Sequence, residues 1–207
     1  HTGAIAGSGR IWASLLKQAG AIQVHSIEEL MDVVLLFRYM SPPEGRNIAV
    51  IGLGGGANVQ AADECSRAGL VVPVLPAETN RKLKGIVNNT EAGSILKNPI
   101  DIYSRGSSQP IREAINIVAG CSQIDLLIIH ISFDFYPVPE VRDVEPYVEA
   151  LISLSQQLNK RTAVVLDSIS LPQSKQAASE VQTALYKAGF PVYPSVAGAA
   201  NAIAKFI

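Results

Sequence analysis

The hydrophobic rhythm of the chain changes near residue 46. Before it, apolar side chains recur at helical spacing. In the segment from Ser8 to Gly20, Ile11, Leu15, Leu16 and Ala19 fall on one face, and Gly20 supplies a C-terminal stop. A short strand is expected over 21–24 (AIQV). Ser26 and Glu29 then form a capping-box pattern that opens a helix with Leu30, Val33, Val34 and Phe37 as its apolar stripe. The Pro/Gly-rich stretch SPPEGRN follows and predicts a domain boundary, dividing the chain into residues 1–41 and 46–207.

Beyond Arg46 the apolar residues come in unbroken blocks. NIAVIGL, VVPVLP, IDI (100–102), IDLLIIHIS, TAVVLDS and FPVY read as strands. Between them lie helical segments near 56–69, 77–87, 109–120, 141–157 and 172–189, with a last one from Ser195 to the end. Continuous Val/Ile/Leu runs are what a parallel sheet covered by helices on both faces requires. The predicted fold class is therefore α/β, a doubly wound flavodoxin-like parallel sheet, preceded by the helical end of a second such domain.

Composition narrows the function classes. The 207 residues are 48% hydrophobic and 17% charged, with a net charge of −1. No basic excess favours nucleic acid or an anionic membrane as partner. No apolar run approaches the roughly 20 residues of a membrane span, and no signal peptide is visible. Cys65 and Cys121 lack metal-ligand spacing and read as buried thiols, so a cytoplasmic protein is expected. The chain enters a motif directly from His1 without an initiator Met, which predicts a piece of a longer polypeptide.

In a doubly wound sheet, ligands bind beyond the carboxyl ends of the strands. Three loops qualify. The first, GLGGGAN, places Gly52, Leu53, Gly54, Gly55, Gly56 and Asn58 between a buried strand and a helix N-terminus. Glycines there let the backbone approach a ligand and aim N–H groups at an anion, although a tight packing turn explains one or two of them. The second, NPIDIYSRGSSQP, offers Asp101 at a strand end and Gly106, Ser107 and Ser108 before a helix whose early Pro110 suits its first turn. Its alternative reading is a turn and a cap. The third, FDFYPVPE, carries Phe133, Phe135 and Tyr136, which would wall a pocket or anchor a loop. His25 reads as a surface residue, and His130, inside DLLIIHIS, as a satisfied core histidine.

These motifs, in this order, resemble the α-part of the NDP-forming acyl-CoA (acetate–CoA) synthetases and, more distantly, succinyl-CoA synthetase. The segment His1-Thr-Gly-Ala-Ile-Ala-Gly resembles the family's phosphohistidine segment, and Gly52 to Asp63 its glycine loop and following helix. Asn98-Pro99-Ile100-Asp101 matches an Asn-Pro-x-Asp element. The resemblance implies interconversion of acyl-CoA, NDP and phosphate with acid, NTP and CoA, through acyl phosphate and phosphohistidine. It makes His1 the phosphoryl carrier, Gly52–Asn58 the neighbourhood of the acyl group, and Gly106–Ser108 with Asp101 an anion-binding helix end. Small neighbours of His1 suit a segment that swings between sites, and a neutral imidazole is a competent phosphoryl acceptor. It further implies CoA, ATP/ADP or GTP/GDP and Mg²⁺ as substrates of the whole enzyme, and no structural metal. A CoA-binding domain and an ATP-grasp domain or subunit would be partners in a homo- or hetero-oligomer, and the fragment alone would be inactive. Two departures bear on the acid: Leu53 stands where relatives carry Asn, and Phe133–Pro139 replaces a Gly-Gly-rich loop of succinyl-CoA synthetase. Both favour a less polar or larger acid than succinate.

Two rival readings remain at this stage. GLGGGA satisfies a dinucleotide-binding pattern, with Glu78 as the ribose acid, which would make the chain an NAD(P)- or flavin-binding domain. A catalytically silent regulatory domain of the same fold is the other.

Overall fold

The computed structural model describes residues 9–86, 97–102, 107–133, 144–167 and 172–207. Its centre is a sheet of five strands in the order β2-β1-β3-β4-β5, every pairing parallel. The strands are β1 (Ile48–Gly52), β2 (Ile100–Asp101), β3 (Leu126–Ser132), β4 (Arg161–Asp167) and β5 (Val192–Tyr193). Alternation of side chains divides each strand between two cores. Ile48, Val50, Leu126, Ile128, Ala163 and Val165 face α2 (Ile27–Tyr39), α3 (Gly55–Arg67) and α8 (Val196–Phe206). Ala49, Ile51, Leu127, Ile129, Val164 and Leu166 face α4 (Ala77–Ile86), α5 (Gln109–Ala119), α6 (Glu145–Leu154) and α7 (Pro172–Lys187). The doubly wound architecture expected from the unbroken apolar runs is what forms.

The amino edge of the sheet is stitched by side chains. Asp125 accepts from the Asn47 N–H at 2.8 Å. Lys160 donates to the carbonyls of Cys121 and Ile124, and Arg161 Nε to that of Ser41 at 3.0 Å. The order in which strands are added reverses at β1: the chain runs out to β2 on one side, then crosses back to β3 on the other and on to β4 and β5. That reversal opens the crevice in which such sheets bind ligands.

Two expected strands do not form. Residues 21–24 have no pairing partner; Ile22 and Val24 instead pack sideways on the second core. Along 71–76 only Val71 makes a bridge, to Asn47, because Pro73 has no N–H to donate and Val74 points to solvent. The sixth helix is shorter than expected, Glu145–Leu154, with residues 141–143 outside the described set.

The first helix, α1 (Gly9–Gln18), has the expected amphipathic pattern but buries none of it; Ile11 is 70% exposed. In α2 the buried residues are Val33 and Leu36 rather than the whole expected stripe. Leu30, Val34 and Phe37 are exposed, Phe37 setting its ring edge against Phe206 at 4.7 Å. The capping box at its start is real: Ser26 Oγ accepts from the Glu29 N–H at 3.1 Å, and the Glu29 carboxylate reaches back to the His25 N–H. Among the described residues no helix is long and apolar enough to cross a membrane.

Both cysteines are free and buried. Burial against α8 pushes the Cys65 thiol up to about 12. Cys65 is accordingly expected to stay unalkylated by iodoacetamide at pH 8 in the native protein and to react once denatured, as read by peptide mass spectrometry.

Candidate functional site at the carboxyl edge

The glycine loop and the Asn-Pro-Ile-Asp element meet here because β1 and β2 are neighbours, with Ile51 opposite Ile100 and Gly52 opposite Asp101. Gly54, at φ +98°, makes the turn that admits α3, a conformation that favours glycine. Its N–H donates to Asp101 Oδ1 at 2.9 Å. The sequence reading offered this amide to a ligand anion; in the structure a carboxylate of the chain itself takes it. Burial raises the Asp101 carboxyl above its ordinary value, opposed by hydrogen bonds from the Gly54 and Gly55 backbone. Gly56 is exposed, with open space where a side chain would be.

Asn98 ties the element to the sheet. Its Oδ1 accepts from the Val50 N–H at 3.0 Å, and its Nδ2 donates to the carbonyls of Ile48 (2.9 Å) and Pro73 (3.0 Å). Asn98→Ala removes all three and leaves backbone groups bare. A loss of about 2–4 kcal/mol is expected in urea unfolding.

Asn58, on the first turns of α3, is buried and donates from Nδ2 to the Ile100 carbonyl at 3.3 Å; its Oδ1 has no partner. Leu53 and Phe133 lie in the core shared with α5 and α6, so Phe133 is a packing residue. Ser108 precedes α5 without capping it by its side chain, Ser107 Oγ accepts from the Gln109 N–H at 3.4 Å, and Pro110 occupies the first turn as expected. His1, Gly106, Phe135 and Tyr136 lie outside the described residues.

His25 is exposed, as expected. The expectation of a satisfied His130 holds for one ring nitrogen only. Nε2 lies 2.7 Å from Asp167 Oδ2, while Nδ1 and Asp167 Oδ1 are buried without partners. Asp167 was missed in the sequence; its signal is an acidic residue closing an otherwise apolar strand. Glu78 sits in the first turn of α4, largely in solvent and paired to Lys82 at 2.8 Å, with no named strand ending before it. That position does not suit a ribose-binding acid, which finishes a strand.

A five-stranded parallel sheet with helices on both faces makes this a doubly wound α/β domain, and comparison gives its class. Residues 1–37 match the family described as succinyl-CoA ligase like flavodoxin domain. The ADP-forming acetate–CoA ligase I of Archaeoglobus fulgidus is 33% identical over 129 residues, 62% of this chain and 18% of that protein. The α subunit of ADP-forming acetate–CoA ligase II of Pyrococcus furiosus is 25% identical over 99% of this chain and 43% of its own length. Among solved structures, the dinucleotide forming acetyl-coenzyme A synthetase 1 of Ca. Korarchaeum cryptofilum, in complex with phosphate and ADP, superposes with a TM-score of 0.76. It is 25% identical, over 100% of this chain and 42% of that one. The chain thus spans less than half the length of these relatives. Its homologues are ADP-forming acetate–CoA ligases, and its fold is that of their α-part.

Proposed function

We propose that this chain is part of an NDP-forming acyl-CoA synthetase, an acid–CoA ligase that interconverts acyl-CoA, NDP and phosphate with carboxylic acid, NTP and CoA. One observation carries the reading: similarity to these ligases runs through the whole chain, joining the His1 segment to the glycine-turn domain. In this reading His1 carries the phosphoryl group between an acyl phosphate and a nucleotide. The Gly52–Asn58 turn, with Leu53, Gly54, Gly55 and Gly56, lies beside the acyl group. Asp101 holds that turn in shape through Gly54, and the open side at Gly56 is where the acid approaches. The start of α5, with Gly106, Ser107 and Ser108, receives the phosphohistidine dianion, its first-turn amides and dipole offsetting the charge.

In this reading residues 1–41 are the end of a preceding domain and 46–207 a second one, with Val33 and Leu36 of α2 packing on the second and the apolar faces that α1 and α2 leave in solvent free for the first. A helix apolar on two sides suits a place between two bodies. CoA, ATP/ADP or GTP/GDP and Mg²⁺ are then substrates held mainly by a CoA-binding domain and an ATP-grasp domain or subunit, in a cytoplasmic oligomer. The 207 residues alone would not turn over.

The test is the intact mass of the full-length protein after incubation with ATP and Mg²⁺. One added phosphate, acid-labile and base-stable, that is lost on adding acid and CoA supports the reading. No added phosphate overturns it.

A further inference from the structure

A parallel ladder runs on evenly spaced rungs. Between β1 and β2 it runs as far as the Ile102 N–H, which donates to the Gly52 carbonyl at 3.1 Å. With Gly52 opposite Asp101, the next rung would carry the Gly54 N–H to the Ile102 carbonyl. Both groups are instead taken by side chains. The Gly54 N–H goes to Asp101 Oδ1 at 2.9 Å, and the Ile102 carbonyl accepts from the Tyr147 hydroxyl at 2.6 Å. Donor and acceptor of one rung thus each have another partner, the first on β2 itself and the second on α6.

Tyr147 is suited to that task. It is 2% exposed and belongs to the same core as Ile102. Burial, and after it the negative charge of Asp101, push its phenol well above the ordinary value, so the hydroxyl keeps its proton to donate. Ile102 is fully buried, and its carbonyl has no water to turn to. From the other face of the sheet, Asn58 Nδ2 holds the Ile100 carbonyl, so the strand end is gripped on both sides. We propose that Tyr147 is a positioning residue for the glycine turn: by occupying the Ile102 carbonyl it stops the β1–β2 ladder one rung short and reserves the Gly54 amide for Asp101. Without the hydroxyl, the donor that parallel geometry offers to the buried carbonyl is the Gly54 N–H itself. The rung closes, Asp101 loses its bond, and the turn that opens α3 is drawn towards β2. The bearing on catalysis rests on the reading above, in which this turn lies beside the acyl group.

The experiment follows the Gly54 amide by NMR in the full-length protein labelled with ¹⁵N-glycine, as pH is taken through the titration of Asp101. An amide proton that donates to a carboxylate moves downfield as the acid ionises, whereas one held by a backbone carbonyl does not. Asp101 answers to burial and to the Gly54 and Gly55 amides, and the Tyr147 phenol facing it from α6 stays neutral, so the movement reports this bond. Tyr147→Phe, which keeps the ring, is expected to remove roughly half or more of the movement, and Asp101→Asn all of it. Leu151→Ala, on the same helix and in the same core, lowers stability without touching the hydroxyl and should leave the movement intact. In the ligase reading, Tyr147→Phe also lowers kcat about tenfold at unchanged KM for nucleotide, because the turn is displaced and the nucleotide site is not. Full movement in Tyr147→Phe, or an equal loss in Leu151→Ala, overturns the proposal; an unchanged kcat overturns its bearing on the reaction. The NMR arm needs no turnover, so a parent protein that takes up no phosphate from ATP sinks the ligase reading alone.

Discussion

Gly52→Ala is expected to destabilise the protein by about 3 kcal/mol, a drop of roughly 10 °C in melting temperature for a chain of this size. A Cβ at this position would lie 2.5 Å from the His130 carbonyl oxygen and closer still to Asn58 Oδ1. Real Cβ atoms do not approach so near. One of the two neighbours is backbone in the middle of the sheet, where β1 pairs with β3, so it cannot yield without breaking register. The other is a side chain that can be shortened. Thermal unfolding of Gly52→Ala, Asn58→Ala and the double variant separates the two clashes, since contacting sites are not additive. The double variant should be more stable than the sum of the single losses predicts, yet well short of the parent. Full recovery would show that the strand carbonyl imposes no limit.

His1→Asn is expected to abolish phosphate incorporation from ATP and to cut overall acyl-CoA/NDP turnover by roughly 10⁴-fold or more, the scale at which a covalent carrier fails. An amide nitrogen is not nucleophilic, and no other group in the proposed cycle ferries the phosphoryl group. The half-reaction of acyl-CoA with phosphate to give acyl phosphate does not use the imidazole and should persist. Steady-state turnover alongside acyl phosphate trapping with hydroxylamine checks both arms. Unchanged turnover would favour the silent regulatory domain instead.

The central strands were legible because they are covered on both faces: Ile48–Gly52, Leu126–Ser132 and Arg161–Asp167 write their burial into unbroken apolar runs. Runs 21–24 and 71–76 look similar in composition, but a strand exists only through its neighbour, and pairing is not written locally. The helical stripe of α1 was read correctly as a pattern, but none of its residues is buried, so periodicity alone did not tell whether the stripe packs on this domain. At the carboxyl edge, glycine spacing and Asp101 marked two loops that the sheet brings side by side. The bond from Gly54 to Asp101 and the three from Asn98 were hidden, since each joins groups distant in sequence. The His130–Asp167 contact was hidden for the same reason, and it demands a register that brings residues 37 apart onto one face.

The stitched amino edge has a bearing on how such a molecule can work. Lys160, Asp125 and Arg161 anchor turns to one another across several strands, whereas at the opposite pole the described bonds join the Gly54 turn to Asp101. The frame of the sheet is thus fastened from its amino pole by bonds that do not pass through the glycine turn, so a change at Gly54 or Asp101 leaves those fastenings in place.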